Sequence, residues 1–312
     1  MVVTLLILLA GLFLLWIGSE SLVKGSSSLA LHMGVRPILV GLTVVAMGTS
    51  SPELAVSLTA ALQDSKSISL GNILGSNIAN IGLVLGTCAL INPLKIERST
   101  LRNEVPIMVG AILLFSLLSY DGLVSFGDGL ILFALFIGFL ILIANLAKKD
   151  RKKAKDLAVA DQPAEKNLLK NILFIILGLA GLVYGAVLIV NSSIGIAKAL
   201  GVSEAVIAVS MVAVGTSLPE LAISAVGSIR GKSELAVGNA VGSNIFNTLF
   251  VIAIVAMISP IPVNRELFHL DYPAMIIFTL ITGPLMLTRF RMSRLEGIFL
   301  LLLYFGFIYL IF

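Results

Sequence analysis

Two carboxylates in this 312-residue sequence stand where a carboxylate is costly to keep. Glu53 ends the run Gly48-Thr49-Ser50-Ser51-Pro52-Glu53, and Glu220 ends Gly215-Thr216-Ser217-Leu218-Pro219-Glu220. Each follows a proline inside an apolar stretch long enough to cross a bilayer, and an ionisable group at that depth marks a functional site by default. Pro52 and Pro219 have no N–H to offer the carbonyls four residues earlier, at Gly48 and Gly215. Such a kink loosens neighbouring carbonyls as well, and irregular backbone is tolerated at membrane depth where it is buried in protein or lines a polar cavity. Freed carbonyls are candidate ligands. Ser50 and Glu53, three residues apart, share a helix face, as do Ser217 and Glu220.

The next apolar stretch carries Asn72, Ser76 and Asn80 at four-residue spacing, one polar stripe on a helix; Asn239, Ser243 and Asn247 repeat it. Gly71, Gly75, Gly82, Gly238 and Gly242 would let such helices approach closely. The assembled donors are all oxygens: two carboxylates, hydroxyls, amide oxygens and carbonyls. That set suits a hard cation, Ca²⁺, Na⁺ or Mg²⁺, and lacks the thiolates and imidazoles of zinc or copper sites. Two carboxylates balance one divalent ion, and a largely dehydrated site favours Ca²⁺, which sheds water more readily than Mg²⁺.

Stepping one residue block by 167 superimposes the two sets without a gap: Gly48 on Gly215, Glu53 on Glu220, Ser57 on Ser224, Asn72 on Asn239, Gly75-Ser76-Asn77 on Gly242-Ser243-Asn244, Asn80 on Asn247 and Pro93 on Pro260. The chain is an internal duplication. Its composition, 58% hydrophobic and 12% charged with a mean hydropathy of +1.08, is far from the roughly 25% charged of a soluble domain. A span needs about 20 apolar residues. Ten are predicted, at 2–31, 36–63, 68–91, 104–119, 128–147, 170–199, 203–229, 233–258, 271–287 and 294–311. The fold expected is therefore an all-α polytopic membrane protein of two five-helix repeats.

Basic residues fix the expected orientation. Lys148, Lys149, Arg151, Lys152, Lys153, Lys155, Lys166 and Lys170 crowd one loop, which places it in the cytoplasm. Arg36, Lys95, Arg98, Arg102, Arg230, Lys232, Arg289, Arg291 and Arg294 fall on the same side, against Lys66, Lys198 and Arg265 on the other. The net charge of +4 is thus topology; anionic lipid against 148–155 is a secondary reading. Five spans per half place both termini outside and invert the second repeat relative to the first, so that 1–147 and 170–312 are the repeats and 148–169 a basic linker. Transporters built this way bind near the midplane, where broken helices meet. The N-terminal Met-Val-Val-Thr-Leu-Leu lacks a positive n-region, so the first span is expected to be retained. Cys88 is the sole cysteine and has no disulfide partner in the chain.

These paired motifs resemble the two alpha-repeats of the calcium/cation antiporter superfamily, most closely its prokaryotic sodium/calcium exchangers, over essentially the whole chain. The resemblance implies ten helices in two inverted halves, alternating access, and Ca²⁺ export driven by Na⁺ entry. It implies a calcium site from Glu53, Glu220 and the Thr49 and Thr216 carbonyls. It implies two sodium sites: Ala46 carbonyl, Thr49, Ser50, Ser243 and Glu220, and in mirror image Ala213 carbonyl, Thr216, Ser217, Ser76 and Glu53. Asn80 and Asn247 would line the centre, and the first and sixth spans would slide to switch access. Ca²⁺ and Na⁺ are the partners implied, besides the bilayer. No cofactor, nucleic acid, protein partner or calcium-sensing domain is expected, and the prokaryotic plasma membrane is the location implied.

Many exchangers carry Asp where this chain has Asn247. With two site carboxylates, three Na⁺ leave one net positive charge and one Ca²⁺ leaves none, so three-for-one exchange remains electrogenic; proton or potassium coupling stays open. A cation channel is the competing reading, since inverted broken helices also build pores. An intramembrane protease is disfavoured: neither His lies near a membrane serine, and every Asp is expected in a loop. His32 and His269 are expected in loops, Asp121, Asp128 and Asp271 at outer loops, and Glu20 with Lys24 as a helix-surface pair. Trp16, Tyr120, Tyr272 and Tyr304 read as interfacial or packing aromatics.

Overall fold

The computed structural model describes residues 2–63, 65–156, 168–199, 215–263, 265–287 and 290–311. Its first helix, α1 (Val2–Met33), ends on Gly34 at φ 64°, a left-handed turn that glycine accommodates without strain. A segmented span follows: α2 (Pro37–Val40), a π-helical turn (Gly41–Val45), α3 (Ala46–Thr49) and, after a 41° bend, α4 (Ser51–Leu62). Next come α5 (Lys66–Ala79), a second π turn (Asn80–Leu85) and α6 (Gly86–Ile91); then α7 (Arg98–Arg102), α8 (Glu104–Leu118) and α9 (Phe126–Asp156). The second half runs α10 (Leu168–Ala199), α11 (Leu218–Ile229), α12 (Ser233–Phe246), a third π turn (Asn247–Val251), α13 (Ile252–Ile258), α14 (Arg265–His269), α15 (Asp271–Leu287) and α16 (Arg294–Ile311).

Among the described residues eight helices are long and apolar enough to cross a membrane, nine when the bent pair counts as one, with α11 a shorter apolar helix. The predicted span 203–229 is described only from Gly215 onward; residues 203–214 lie outside the described set, and with them Ala213. Two spans form the centre: Ile68–Ile91 and Ser233–Ile258 are each 78% buried, against 22–33% for the other six. These are the two that carry the Asn-Ser-Asn stripes. A polar stripe cannot face lipid, so the striped helices must be enclosed by the others.

Glycines decide how closely helices meet. A Cβ on Gly238 would sit 2.7 Å from Ile38 O, and one on Gly242 2.7 Å from Leu42 Cα, so α12 lies backbone against backbone on α2 and its π turn. Gly82 abuts Phe278. Gly71 does not: its nearest neighbour would be 3.8 Å away, so that expectation of close approach fails there. The long α1 and α10 pack along a seam of glycines spaced seven residues apart: a Cβ on Gly11 would fall 3.0 Å from Gly185 O, one on Gly18 2.8 Å from Leu182 N and 2.9 Å from Gly178 O, and one on Gly25 2.9 Å from Asn171 O.

Other differences from the sequence reading have physical causes. Helix α9 continues through Asp156, so 148–156 is helix where a loop was expected: Lys and Arg are good helix formers and the helix simply extends beyond the apolar run. His32 and His269 sit in the last turns of α1 and α14, where a basic group complements the dipole. Asp128 and Asp271 open α9 and α15, Asp128 Oδ2 accepting from Ser125 N at 2.8 Å; Asp150 lies within α9. Glu20 does not pair with Lys24. Its carboxylate accepts a two-armed bond from Arg230 at the end of α11, while Lys24 lies 5.2 Å from the Phe174 ring centroid. The longer-range guanidinium fork outcompetes a local pair worth a few tenths of a kcal/mol.

Two antiparallel pairs of two-residue strands join the halves: β1 (Leu94–Lys95) with β4 (Arg291–Met292), and β2 (Leu123–Val124) with β3 (Ile261–Pro262). At the β1 end, Arg36 Nε donates to Asp150 at 2.9 Å and Nη1 to Glu97 at 3.0 Å. Burial works against the Arg36 charge, but the bonds it donates to the Asp150 and Glu97 carboxylates outweigh it and hold its pKa above the ordinary value.

Candidate ion-binding site

The two broken helices deliver the two carboxylates. Pro52 and Pro219 stand in the first turn of α4 and α11, where the absent N–H costs nothing, and Glu53 and Glu220 share that turn. The positive end of the helix dipole favours an anion there. Ser50 and Ser217 hold the N-cap positions with φ near −85°, yet neither hydroxyl caps its own helix. Ser50 Oγ donates instead to Glu220 Oε1 in the other half, at 3.0 Å. The carboxylate is thereby tied to both broken helices.

Every predicted site residue that is described is buried: Ala46, Thr49, Ser50, Glu53, Ser76, Asn80, Thr216, Ser217, Glu220, Ser243 and Asn247. Ala213 lies outside the described residues. Around Glu220 the structure brings Ser50 together with Ser243, whose Oγ is 3.5 Å from Oε1, and Thr49 and Ala46 adjoin through Thr49 Oγ1, 3.4 Å from Ala46 O. Around Glu53, Ser76 Oγ donates to Oε1 at 3.4 Å; Thr216 Oγ1 lies 3.5 Å from Ser76 Oγ, and Ser217 donates to Ser76 at 3.4 Å.

Asn72 and Asn239 do more than continue a stripe. Asn72 Nδ2 donates to Ser57 Oγ at 3.0 Å and Glu53 O at 3.4 Å, while its Oδ1 accepts from Thr216 Oγ1 at 3.2 Å. Asn239 Nδ2 donates to Ser224 Oγ at 3.0 Å and Glu220 O at 3.4 Å, while its Oδ1 accepts from Thr49 Oγ1 at 3.1 Å. Sequence reasoning gave these asparagines no role beyond the stripe. Further amides join behind them: Asn80 Nδ2 donates to Asn244 Oδ1 at 3.0 Å, Asn244 to Asn77 O at 3.1 Å, and Asn77 to Thr248 Oγ1 at 3.0 Å. Their recurrence at the 167-residue offset was the available signal. Asn80 and Asn247 each open a π turn, a local widening that recurs at functional sites.

What remains unpartnered defines the chemistry. Glu53 Oε2, Glu220 Oε2, Asn77 Oδ1, Asn80 Oδ1 and both polar atoms of Asn247 are buried without a hydrogen-bond partner. Leaving so many acceptors orphaned is expensive. A cation satisfies acceptor oxygens in a way that no apolar side chain can. Among the described residues no group of three or more His, Cys, Asp or Glu side chains is placed to hold a metal, so the available set is two carboxylates supplemented by neutral oxygens.

The sequence pattern of the family described as sodium/calcium exchanger protein matches residues 3–144 and 170–312. The chain is a member of the sodium/calcium exchanger family. Two relatives of this exchanger span it almost entirely: the putative antiporter CaxA of Alkalimonas amylolytica, 36% identical over 100% of this chain and 99% of that protein, and the sodium/calcium exchanger MaX1 of Methanosarcina acetivorans, 32% identical over 99% of each. Among solved structures, the sodium-calcium exchanger NCX_Mj soaked with Na⁺ and Ca²⁺ matches at a TM-score of 0.84 and 32% identity, covering 99% of this chain and 98% of that one. This exchanger is an integral membrane protein of the calcium/cation antiporter family, a family of transporters. Its all-helical fold is that of NCX_Mj.

Proposed function

We propose that the protein exports Ca²⁺ in exchange for Na⁺ by alternating access, the two ions competing for Glu53 and Glu220. The observation that carries this reading is the pair of buried, unpartnered carboxylate oxygens, Glu53 Oε2 and Glu220 Oε2, on helices broken beside Ser50 and Ser217. In the calcium-loaded form both carboxylates and the Thr49 and Thr216 carbonyls hold the ion. In the sodium-loaded form each carboxylate serves its own site: Glu220 with Ala46 carbonyl, Thr49, Ser50 and Ser243; Glu53 with Ala213 carbonyl, Thr216, Ser217 and Ser76. Asn80 and Asn247 line the centre. Shared ligands cannot hold both loads at once, and that exclusion is the coupling.

The repeats, 1–147 and 170–312 joined by the linker 148–169, are taken as inverted, with ten spans in all. The strand pairs support this. By the 167-residue offset β1 corresponds to β3, yet β2 lies one span beyond β1, across α8, and it is β2 that pairs with β3. Corresponding strands thus fall at opposite ends of α8. The basic segment 148–155 is assigned to the cytoplasm and both termini to the outside. A prokaryotic plasma membrane is the location proposed, in keeping with a 34% identical Escherichia coli relative named an inner membrane protein.

The test is calcium uptake into liposomes holding the purified protein and loaded with Na⁺, K⁺ or choline, or with a proton gradient. Uptake only against internal Na⁺ is expected. Uptake driven by protons or potassium moves the protein to another branch of the superfamily, and uptake without a counter-ion makes it a channel. Glu53→Gln and Glu220→Gln each remove a unit charge worth on the order of 4 kcal/mol per ionic charge at about 4 Å and an effective dielectric near 20. Either should abolish exchange while the protein elutes as a folded species, and robust transport by either variant sinks the assignment.

A further inference from the structure

We infer that Asn239 and Asn72 are positioning residues for sodium, each orienting a threonine hydroxyl that the other repeat contributes to the site. The inference rests on the exchange reading above, in which the Thr49 and Thr216 hydroxyls are sodium ligands and their carbonyls calcium ligands.

A hydroxyl carries one proton and two lone pairs, so it serves a cation only when its proton points elsewhere. Thr49 Oγ1 lies 3.1 Å from Asn239 Oδ1 and 3.4 Å from Ala46 O, with the Glu220 carboxylate also in reach; once a cation occupies that carboxylate, Asn239 is the acceptor that takes the proton. Asn239 cannot be reversed, because its Nδ2 faces the Glu220 carbonyl, which requires a donor. Its second proton goes to Ser224. The amide therefore reads the main chain at one carboxylate and sets the hydroxyl that shares a sodium site with that carboxylate. Asn72 does the same with Thr216, the Glu53 carbonyl and Ser57. Asn239 thus serves the site of Glu220 and Asn72 that of Glu53.

All four side chains are buried, Thr216 at 7% being the most exposed. The same arrangement occurs twice with bond lengths agreeing to 0.1 Å. One such cluster could be incidental packing. Two, related by the duplication and crossing between the repeats in both directions, assign a function to the amide.

The experiment is a double-mutant cycle on the full chain in liposomes, reading Na⁺ and Ca²⁺ half-saturation separately for the wild type, Asn239→Ala, Thr49→Val and both together. Asn239→Ala is expected to raise the Na⁺ half-saturation by roughly five- to tenfold, the effect of one misoriented hydrogen-bonding ligand, with Ca²⁺ half-saturation changed less than about twofold. The double variant should be no worse than Thr49→Val alone, and Thr49→Ser, which keeps the hydroxyl, should retain sodium affinity. Should Asn239→Ala fail to fold, Asn239→Ser, which keeps a small donor towards Ser224 while withdrawing the Thr49 acceptor, carries the same cycle, and Asn72→Ala with Thr216→Val repeats it in the mirror site. Additive effects in the cycle, or equal shifts for both ions, overturn the positioning role while leaving exchange intact. A wild type that takes up no calcium against Na⁺ overturns the exchange reading and this inference with it.

Discussion

Ser50 and Ser217 occupy the same place in the two repeats but direct their protons differently, Ser50 to the Glu220 carboxylate at 3.0 Å and Ser217 to the Ser76 hydroxyl at 3.4 Å. A bond to a charged acceptor is worth about 1.5–3 kcal/mol and one between neutral groups about 0.5–1.5. Ser50→Ala is therefore expected to raise Na⁺ half-saturation more than Ser217→Ala does; equal shifts in a side-by-side uptake titration would contradict the asymmetry. At Asn247, buried with both polar atoms unpartnered, Asn247→Asp adds an ionisable group beside two carboxylates. Burial and like charge both oppose its ionisation, so the pH profile of exchange should change, and superimposable profiles for variant and wild type would remove its significance. The carboxylates, serines and threonines could be singled out in the sequence because a polar motif repeated at a fixed offset stands apart from the apolar runs around it; the ligand roles proposed for them come from the resemblance. The Asn72 and Asn239 bonds were not, since the partner threonines lie 144 and 190 residues away and only the assembled halves bring them together.

Helices were easier to read than the departures from helix. The apolar runs gave nearly every described span to within a few residues, and the prolines gave the 41° break. The π turns among the described residues escaped, because nothing in Gly41–Val45, Asn80–Leu85 or Asn247–Val251 distinguishes an i→i+5 bond from an i→i+4 bond by residue type. Glu20 escaped for a different reason: a local pair with Lys24 is visible in one dimension and the bond to Arg230 is not. The α1–α10 seam yields a prediction at this scale. Gly18→Leu must push a side chain into Leu182 N, 2.8 Å from where its Cβ would lie, and overpacking of this kind costs about 1–3 kcal/mol or more. The variant should melt earlier than wild type and exchange more slowly, with ion affinities changed less than the rate since none of the seam glycines is a proposed ligand; unchanged turnover would mean the two helices need not stay in contact. Arg36→Ala leaves Asp150 and Glu97 without their shared partner and should destabilise the protein by about 1–3 kcal/mol, measured as a lowered melting temperature.

For the whole molecule, the strand pairs bind each half to the other at two places, β1 to β4 and β2 to β3, so neither repeat is a separable domain despite the duplication. The proposed orientation is open to a direct check. A cysteine introduced as Lys149→Cys in a Cys88→Ser background should react with a membrane-impermeant thiol reagent only from the cytoplasmic face, and labelling of intact cells would invert the topology. The close glycine seam from Gly11 to Gly25 has a consequence for fidelity. Under the alternating access proposed above, two helices packed this closely would slide together as one bar. If the passages on the two faces are both cut by that bar, the motion that unblocks one obstructs the other, and no position leaves an unbroken water path. Slippage, the dissipation of the sodium gradient without calcium in return, is then suppressed by the geometry of one helix pair, and prying that pair apart should reveal it as a sodium leak.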